Sequence, residues 1–175
     1  LGHDIDVSNP GADDAERLAR SKLAHALMFF SRGIPLIYYG DEQGFVGDGG
    51  DKDARQDMFP SQVASYNDDD LIGTDATTAD DNFDPNHPLY QAFSQFAALR
   101  QGHLALRQGA QFHRYSAPSA GIYALSRLDR DEQVEYIVAL NNAESTETAT
   151  FRTASPDTTF SAIYPDSGPA LNSNA

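Results

Sequence analysis

The feature that most constrains this chain is a segment of helical period held between two strand ends. Leu1-Gly2-His3-Asp4 stands before it, and Gly33-Ile34-Pro35-Leu36-Ile37-Tyr38-Tyr39-Gly40-Asp41-Glu42 follows. Strand, helix, strand at this length is the unit from which parallel α/β sheets and barrels are built. Ile34 to Tyr39 is apolar without alternation, as expected of a strand covered on both faces. Each strand end passes into polar residues, so the two together are expected to form an active-site rim.

The helix between them is expected over about residues 14 to 32. Asn9-Pro10-Gly11 makes a turn, Asp13 or Asp14 supplies an acidic N-cap, and Gly33 with Pro35 stops the run. Leu18, Leu23, Ala26, Leu27 and Phe30 recur on one face. From Asp41 to about Pro88 no period holds, and Gly, Asp, Asn, Ser and Thr dominate. A connection of that length inside a compact domain usually has a function. His87-Pro88 then opens a second helix, with Leu89, Phe93, Phe96 and Ala97 on its apolar face and an end near Gly102.

After Leu106 the texture changes. Gln111 to Tyr115, Gly121 to Leu128, Val134 to Leu140, Thr146 to Arg152 and Thr158 to Tyr164 are short β-prone runs separated by turn residues, the pattern of an antiparallel β domain. A chain of 175 residues could bury one sizeable core, yet the halves differ so much that parts of two domains are expected, residues 1–104 and 105–175. No Met, charged n-region or apolar h-region precedes His3, so the chain is expected to open inside a domain.

Composition narrows the function classes. A net charge of -14 repels phosphate backbones and anionic lipid surfaces, which argues against nucleic-acid and membrane partners but would not hinder a neutral substrate. No apolar run is long enough to span a bilayer. The absence of Cys removes disulfides, thiolate metal sites and thiol catalysis and leaves the compartment open.

Taken together, His3-Asp4, the segment Gly33-x-Pro35-x-x-Tyr38-Tyr39-Gly40-x-Glu42, and Leu99-Arg100 with Leu104 to Gly109 resemble the C-terminal portion of the alpha-amylase family of glycoside hydrolases (family 13). They match, in turn, the end of barrel strand seven, strand eight, and the exit from the barrel into domain C. The strand-eight segment is the most specific. Gly2 stands where the family usually has Asn. The resemblance implies an α/β part, the last strands and helices of a (β/α)8 TIM barrel, followed by an all-β part, an antiparallel β-sandwich domain C. Such barrels carry their chemistry on the C-terminal ends of their strands.

The resemblance also implies roles. Asp4 would be the carboxylate that stabilises the transition state by gripping two hydroxyls of the distorted sugar, and His3 would donate to the same sugar. The nucleophile and the general acid would belong to strands four and five, which this sequence does not include, so the isolated chain is expected to be inactive. Arg55, in the long loop, could bind a sugar hydroxyl or pair with an Asp. Asp48, Asp51, Asp53 and Asp57, and Asp68 to Asp70, have the oxygen chemistry Ca²⁺ favours but not EF-hand spacing, so no metal ligand is assigned, although Ca²⁺ remains open as a cofactor of a parent enzyme. The partner implied is an α-glucan or oligosaccharide, and an extracellular or periplasmic location is favoured over a cytoplasmic one. Set against this is a second class, a non-catalytic carbohydrate-binding or structural β domain in which His3 and Asp4 are merely solvated.

Overall fold

A computed structural model of the chain describes residues 14–47, 50–165 and 171–172. The chain divides into two compact units, Leu1–Gly102 and His103–Ala175.

In the first unit, helix α1 spans Asp14–Phe30 and α2 spans Pro88–Gly102, with a 3₁₀ turn at Asp41–Gln43. Asp14 and Glu16 put negative charge on the first turn of α1, where the helix dipole favours it, and Glu16 pairs with Arg20 one turn on at 2.8 Å. The Asp14 carboxylate accepts the Gly73 amide at 2.8 Å, so it ties the long loop to the helix start. Asp13 lies outside the described residues.

The buried face of α1 is not quite the one its apolar residues suggest. Ser21, His25, Ala26, Phe29 and Phe30 are buried, whereas Leu27 is 40% exposed. Phe29 sits between Phe93 and Phe96 of α2, with ring centroids 6.1 and 5.7 Å away, and Phe30 meets Phe96 edge-on at 5.5 Å. Burial of each such ring contributes about 1.5–3 kcal/mol, and aromatic pairing adds to it. α1 has no basic residue in its last turn. Arg100 of α2 supplies the missing cation, donating to the carbonyl oxygen of Phe29 in the last turn and to that of Gly33 just beyond the helix.

The run Ile34 to Tyr39 departs from expectation: it is not a strand. A strand exists only where a neighbour completes its ladder, and none of the described residues offers one. Ile34 and Leu36 are 94% and 73% exposed.

The long connection is irregular, as expected, but internally fixed. Leu71 and Ile72 are buried at its centre. Around them Ser61 donates its amide to the Thr78 carbonyl (2.8 Å), Thr78 its hydroxyl to Asn67 (2.7 Å), and Asn82 its amide nitrogen to Met58 (2.9 Å). Gly44, at φ 73°, lets the chain pass so close to Ile72 that a Cβ would lie 2.2 Å from the Ile72 oxygen. His87 closes the loop and opens α2: its Nδ1 accepts the Leu89 amide (3.1 Å) in the manner of an N-cap, while its Nε2–H donates to the Ile72 carbonyl (3.1 Å).

In the second unit a short helix α3, Leu104–Gln108, precedes an antiparallel sheet of β1 (Ala110–Ser116), β2 (Ile122–Leu128) and β3 (Glu135–Asn141) in the order β1-β2-β3. Ala110 faces Leu128 and Leu128 faces Glu135, with an irregularity between His113 and Tyr115. Glu135 is buried and knits the sheet together. Its carboxylate accepts from Arg114 of β1 (2.7 Å), Ser126 of β2 (2.5 Å) and the Ala154 amide (2.8 Å). Burial alone would raise its pKa, but the hydrogen bonds from Ser126, Ser155 and Arg114 outweigh it and hold the carboxyl below its ordinary value.

Two expected strands are corrected. Thr146 to Arg152 forms none, because its residues are mostly exposed and offer no apolar face to bury, Phe151 instead stacking on Tyr115 at 6.5 Å. Thr158 to Tyr164 shrinks to β4, Thr159–Phe160, paired antiparallel with β5, Leu171–Asn172. Among the described residues no helix is long and apolar enough to cross a membrane.

Candidate active-site rim

The rim expected at the end of the Ile34 to Tyr39 run is built by side chains that return to the backbone. Gly40 reverses the chain at φ 94°, and the next three residues each fix the turn differently. Asp41 accepts the Tyr38 amide (3.2 Å), and Glu42 accepts the Gly40 amide (3.0 Å). The Gln43 amide spans the loop, donating to the Asp84 carbonyl (3.0 Å) and accepting the Asp84 amide (3.3 Å). From the far side His25 of α1 brings its Nε2 to within 3.7 Å of Asp41.

Tyr38 and Tyr39 stand at this turn with their rings 4.6 Å apart, both about half exposed. Partial burial, then the Tyr38 hydrogen bond and the nearby Asp57, push the Tyr39 hydroxyl pKa up, while Arg55 pulls it down. The Arg55 charge therefore lies within electrostatic range of both tyrosines. Its guanidinium donates to Asp51 one turn earlier at 2.8 Å, and that bond is the main cause of its own raised pKa. Both partners are largely exposed, so the pair contributes little to stability and leaves the guanidinium accessible.

His3 and Asp4 lie outside the described residues, as does Asp48. Among the described residues no three His, Asp or Glu side chains converge as a metal site. Asp51 instead takes Arg55, and Asp69 takes the buried Gln56 at 2.5 Å. Reading by hydrophobic period misses His25, Gln43 and Arg100. The signal for His25 is its spacing of four from Ser21 and from Phe29, a polar residue on a face that must be buried.

A family model described as "Alpha amylase, catalytic domain" matches residues 3–109, a range that runs from His3 past the end of α3. The chain belongs to the alpha-amylase family. An alpha-amylase of Streptomyces lividans is 54% identical to it over 94% of the chain. A cyclomaltodextrinase of Thermoanaerobacter pseudethanolicus is 28% identical over 78%, and a cyclomaltodextrin glucanotransferase of a Bacillus species 28% identical over 85%. The chain spans 18%, 21% and 17% of those three proteins respectively. It thus corresponds to a minor part of each of these alpha-amylase family relatives, with an antiparallel sheet following the matched stretch.

Proposed function

We propose that this chain is the C-terminal portion of a retaining, α-glucan-acting glycoside hydrolase or transglycosylase. In this reading residues 1–104 are the last two strands and helices of a (β/α)8 barrel, and residues 105–175 belong to a β-sandwich domain C. The observation that carries it is the family match over residues 3–109, a range that includes the His3-Asp4 pair and the Gly33 to Glu42 segment. The bare, apolar Ile34 to Tyr39 run supports it, since that is how a barrel strand looks without its neighbours.

In a retaining enzyme a nucleophilic carboxylate and a general acid act on the anomeric carbon through an oxocarbenium-like transition state. Asp4 is the third carboxylate, accepting hydrogen bonds from two sugar hydroxyls that strengthen as the ring distorts, and His3 donates to the same sugar. Arg55, accessible beside Tyr38 and Tyr39, donates to a hydroxyl further along the glucan. The nucleophile and acid come from outside this chain, and the intact enzyme works outside the cell or in the periplasm.

The test is Asp4→Asn in the full-length enzyme. Because its contacts tighten mainly in the transition state, kcat should fall by about three orders of magnitude or more with little change in KM. A variant with near-normal kcat would remove Asp4 from the site. The purified 175-residue chain should show no turnover of starch or malto-oligosaccharides, and measurable turnover would overturn the assignment of nucleophile and acid to other segments.

A further inference from the structure

Residues 143–155 leave the end of β3 and return across one face of the sheet without joining it as a strand. Ala124, Ser126 and Leu128 share that face of β2, and the register adds Phe112 and Tyr115 from β1 with Glu135 and Ile137 from β3. At its start the segment is held by the Asn142 amide on the Gly121 carbonyl (3.1 Å) and by the Asn141 side chain on the Ser145 carbonyl (2.8 Å). Midway, Phe151 stacks on Tyr115. At its far end the Ala154 amide donates to Oε2 of Glu135 (2.8 Å). That last anchor differs in kind from the others. The Glu135 side chain has no exposed surface, and its Oε1 takes both the Arg114 guanidinium of β1 (2.7 Å) and the Ser126 hydroxyl of β2 (2.5 Å). Ser155 of the segment donates to the same carboxylate. Of the groups that face it, Arg114 is charged and Ser126, Ser155 and the Ala154 amide are neutral donors. An ionised carboxylate only accepts and suits such a set; a neutral carboxyl or an amide puts a hydrogen among donors.

We propose that residues 143–155 form a strap latched by Glu135: the ionised carboxylate holds the strap closed over the sheet, and neutralising it opens the strap while β1, β2 and β3 stay paired. The ladders of the sheet run backbone to backbone and do not need the Glu135 carboxylate. None of residues 143–155 is buried, so opening exposes little apolar surface of the strap itself, and the segment belongs to the low-stability end of the fold. Because its donors hold the Glu135 carboxyl below its ordinary value, the strap is closed at neutral pH. Its closure is lost as pH falls through the ordinary carboxylate range toward the lower value of the closed state. This device lies within the second unit and does not depend on the α-glucan reading.

Arg152 is the only Lys or Arg after Arg130, so a single tryptic cut reports the opening. In the 175-residue chain at about pH 8, Glu135→Gln should speed cleavage after Arg152 about tenfold or more, and hydrogen exchange of the Ala154 amide by a similar factor, while the amides of β2 stay protected. Glu135→Asp keeps the charge beside Arg114 but shortens its reach to Ala154, and should speed both in the same way. In the unaltered chain, protection of the Ala154 amide relative to those of β2 should fall about tenfold between about pH 6 and about pH 3.5, and in Glu135→Gln it should stay flat. Unchanged cleavage and exchange in the folded variants would overturn the latch. So would loss of β2 protection in step with Ala154, since strap and sheet would then open as one unit. Protection that does not change with pH in the unaltered chain, or that falls equally in Glu135→Gln, would remove the carboxyl as the group that titrates. Should Glu135→Gln not fold, Glu135→Asp and the pH series on the unaltered chain carry the test.

Discussion

Both ring nitrogens of His87 are spent, one donating to Ile72 and one accepting from Leu89, and only the neutral imidazole can do both. Burial lowers its pKa below the ordinary 6.5, with the Ile72 carbonyl and Asp84 restoring part of the loss. The unfolded chain therefore binds this proton more readily than the folded one. Stability from this residue is fully present above the unfolded value and is lost as pH falls through it toward the folded value. Denaturant melts of the chain should show a lower midpoint at about pH 5.5 than at about pH 7.5, and His87→Asn, which can still cap α2 but does not titrate, should flatten that difference. Equal pH dependence in the variant would assign the effect to other groups. His87-Pro88 marks a helix start in the sequence, but that the imidazole itself is the cap depends on Ile72, fifteen residues away, reaching its other nitrogen.

At the scale of elements, α1 and α2 stabilise each other through Phe29, Phe30, Phe93 and Phe96, with Arg100 closing the end of α1. Phe96 is 1% exposed and touches two rings, so Phe96→Ala should destabilise the first unit by about 3–5 kcal/mol. Urea unfolding followed by far-UV circular dichroism checks this; a loss under about 1 kcal/mol would mean that the interface is not a core. Period and caps made both helices legible. They did not reveal which face α1 buries, because His25 and Ser21 take part in packing that an apolar count ignores, while Leu27 is partly exposed. The antiparallel strands β1 to β3 were legible for the same local reasons. Thr146 to Arg152 was not, since β-prone residues still need a face to bury and a ladder to join.

For the molecule as a whole, the chief liability is the Ile34 to Tyr39 run, where 94% of Ile34 and 73% of Leu36 meet solvent beside backbone groups with no ladder. Such an edge recruits other chains. The 175-residue chain should self-associate in a concentration-dependent way and bind a hydrophobic dye, and Ile34→Lys with Leu36→Lys should restore a monomer. Light scattering over a range of concentrations decides it; a dye-silent monomer before substitution would show that the edge is covered. In the full-length enzyme proposed above, neighbouring barrel strands would cover the same edge.

The sequence by itself determined the two helices, the three central strands, and the resemblance that the alpha-amylase match bears out. All of these follow from local period, caps and turn residues, or from motifs contiguous in the chain. Tertiary structure alone decided that Asp41 faces His25, that Arg100 finishes α1, that Gln43 reaches Asp84, and that Ile34 to Tyr39 stands without a ladder. Each depends on groups far apart in sequence becoming neighbours, and no periodicity records which partner a polar side chain or a bare strand will meet.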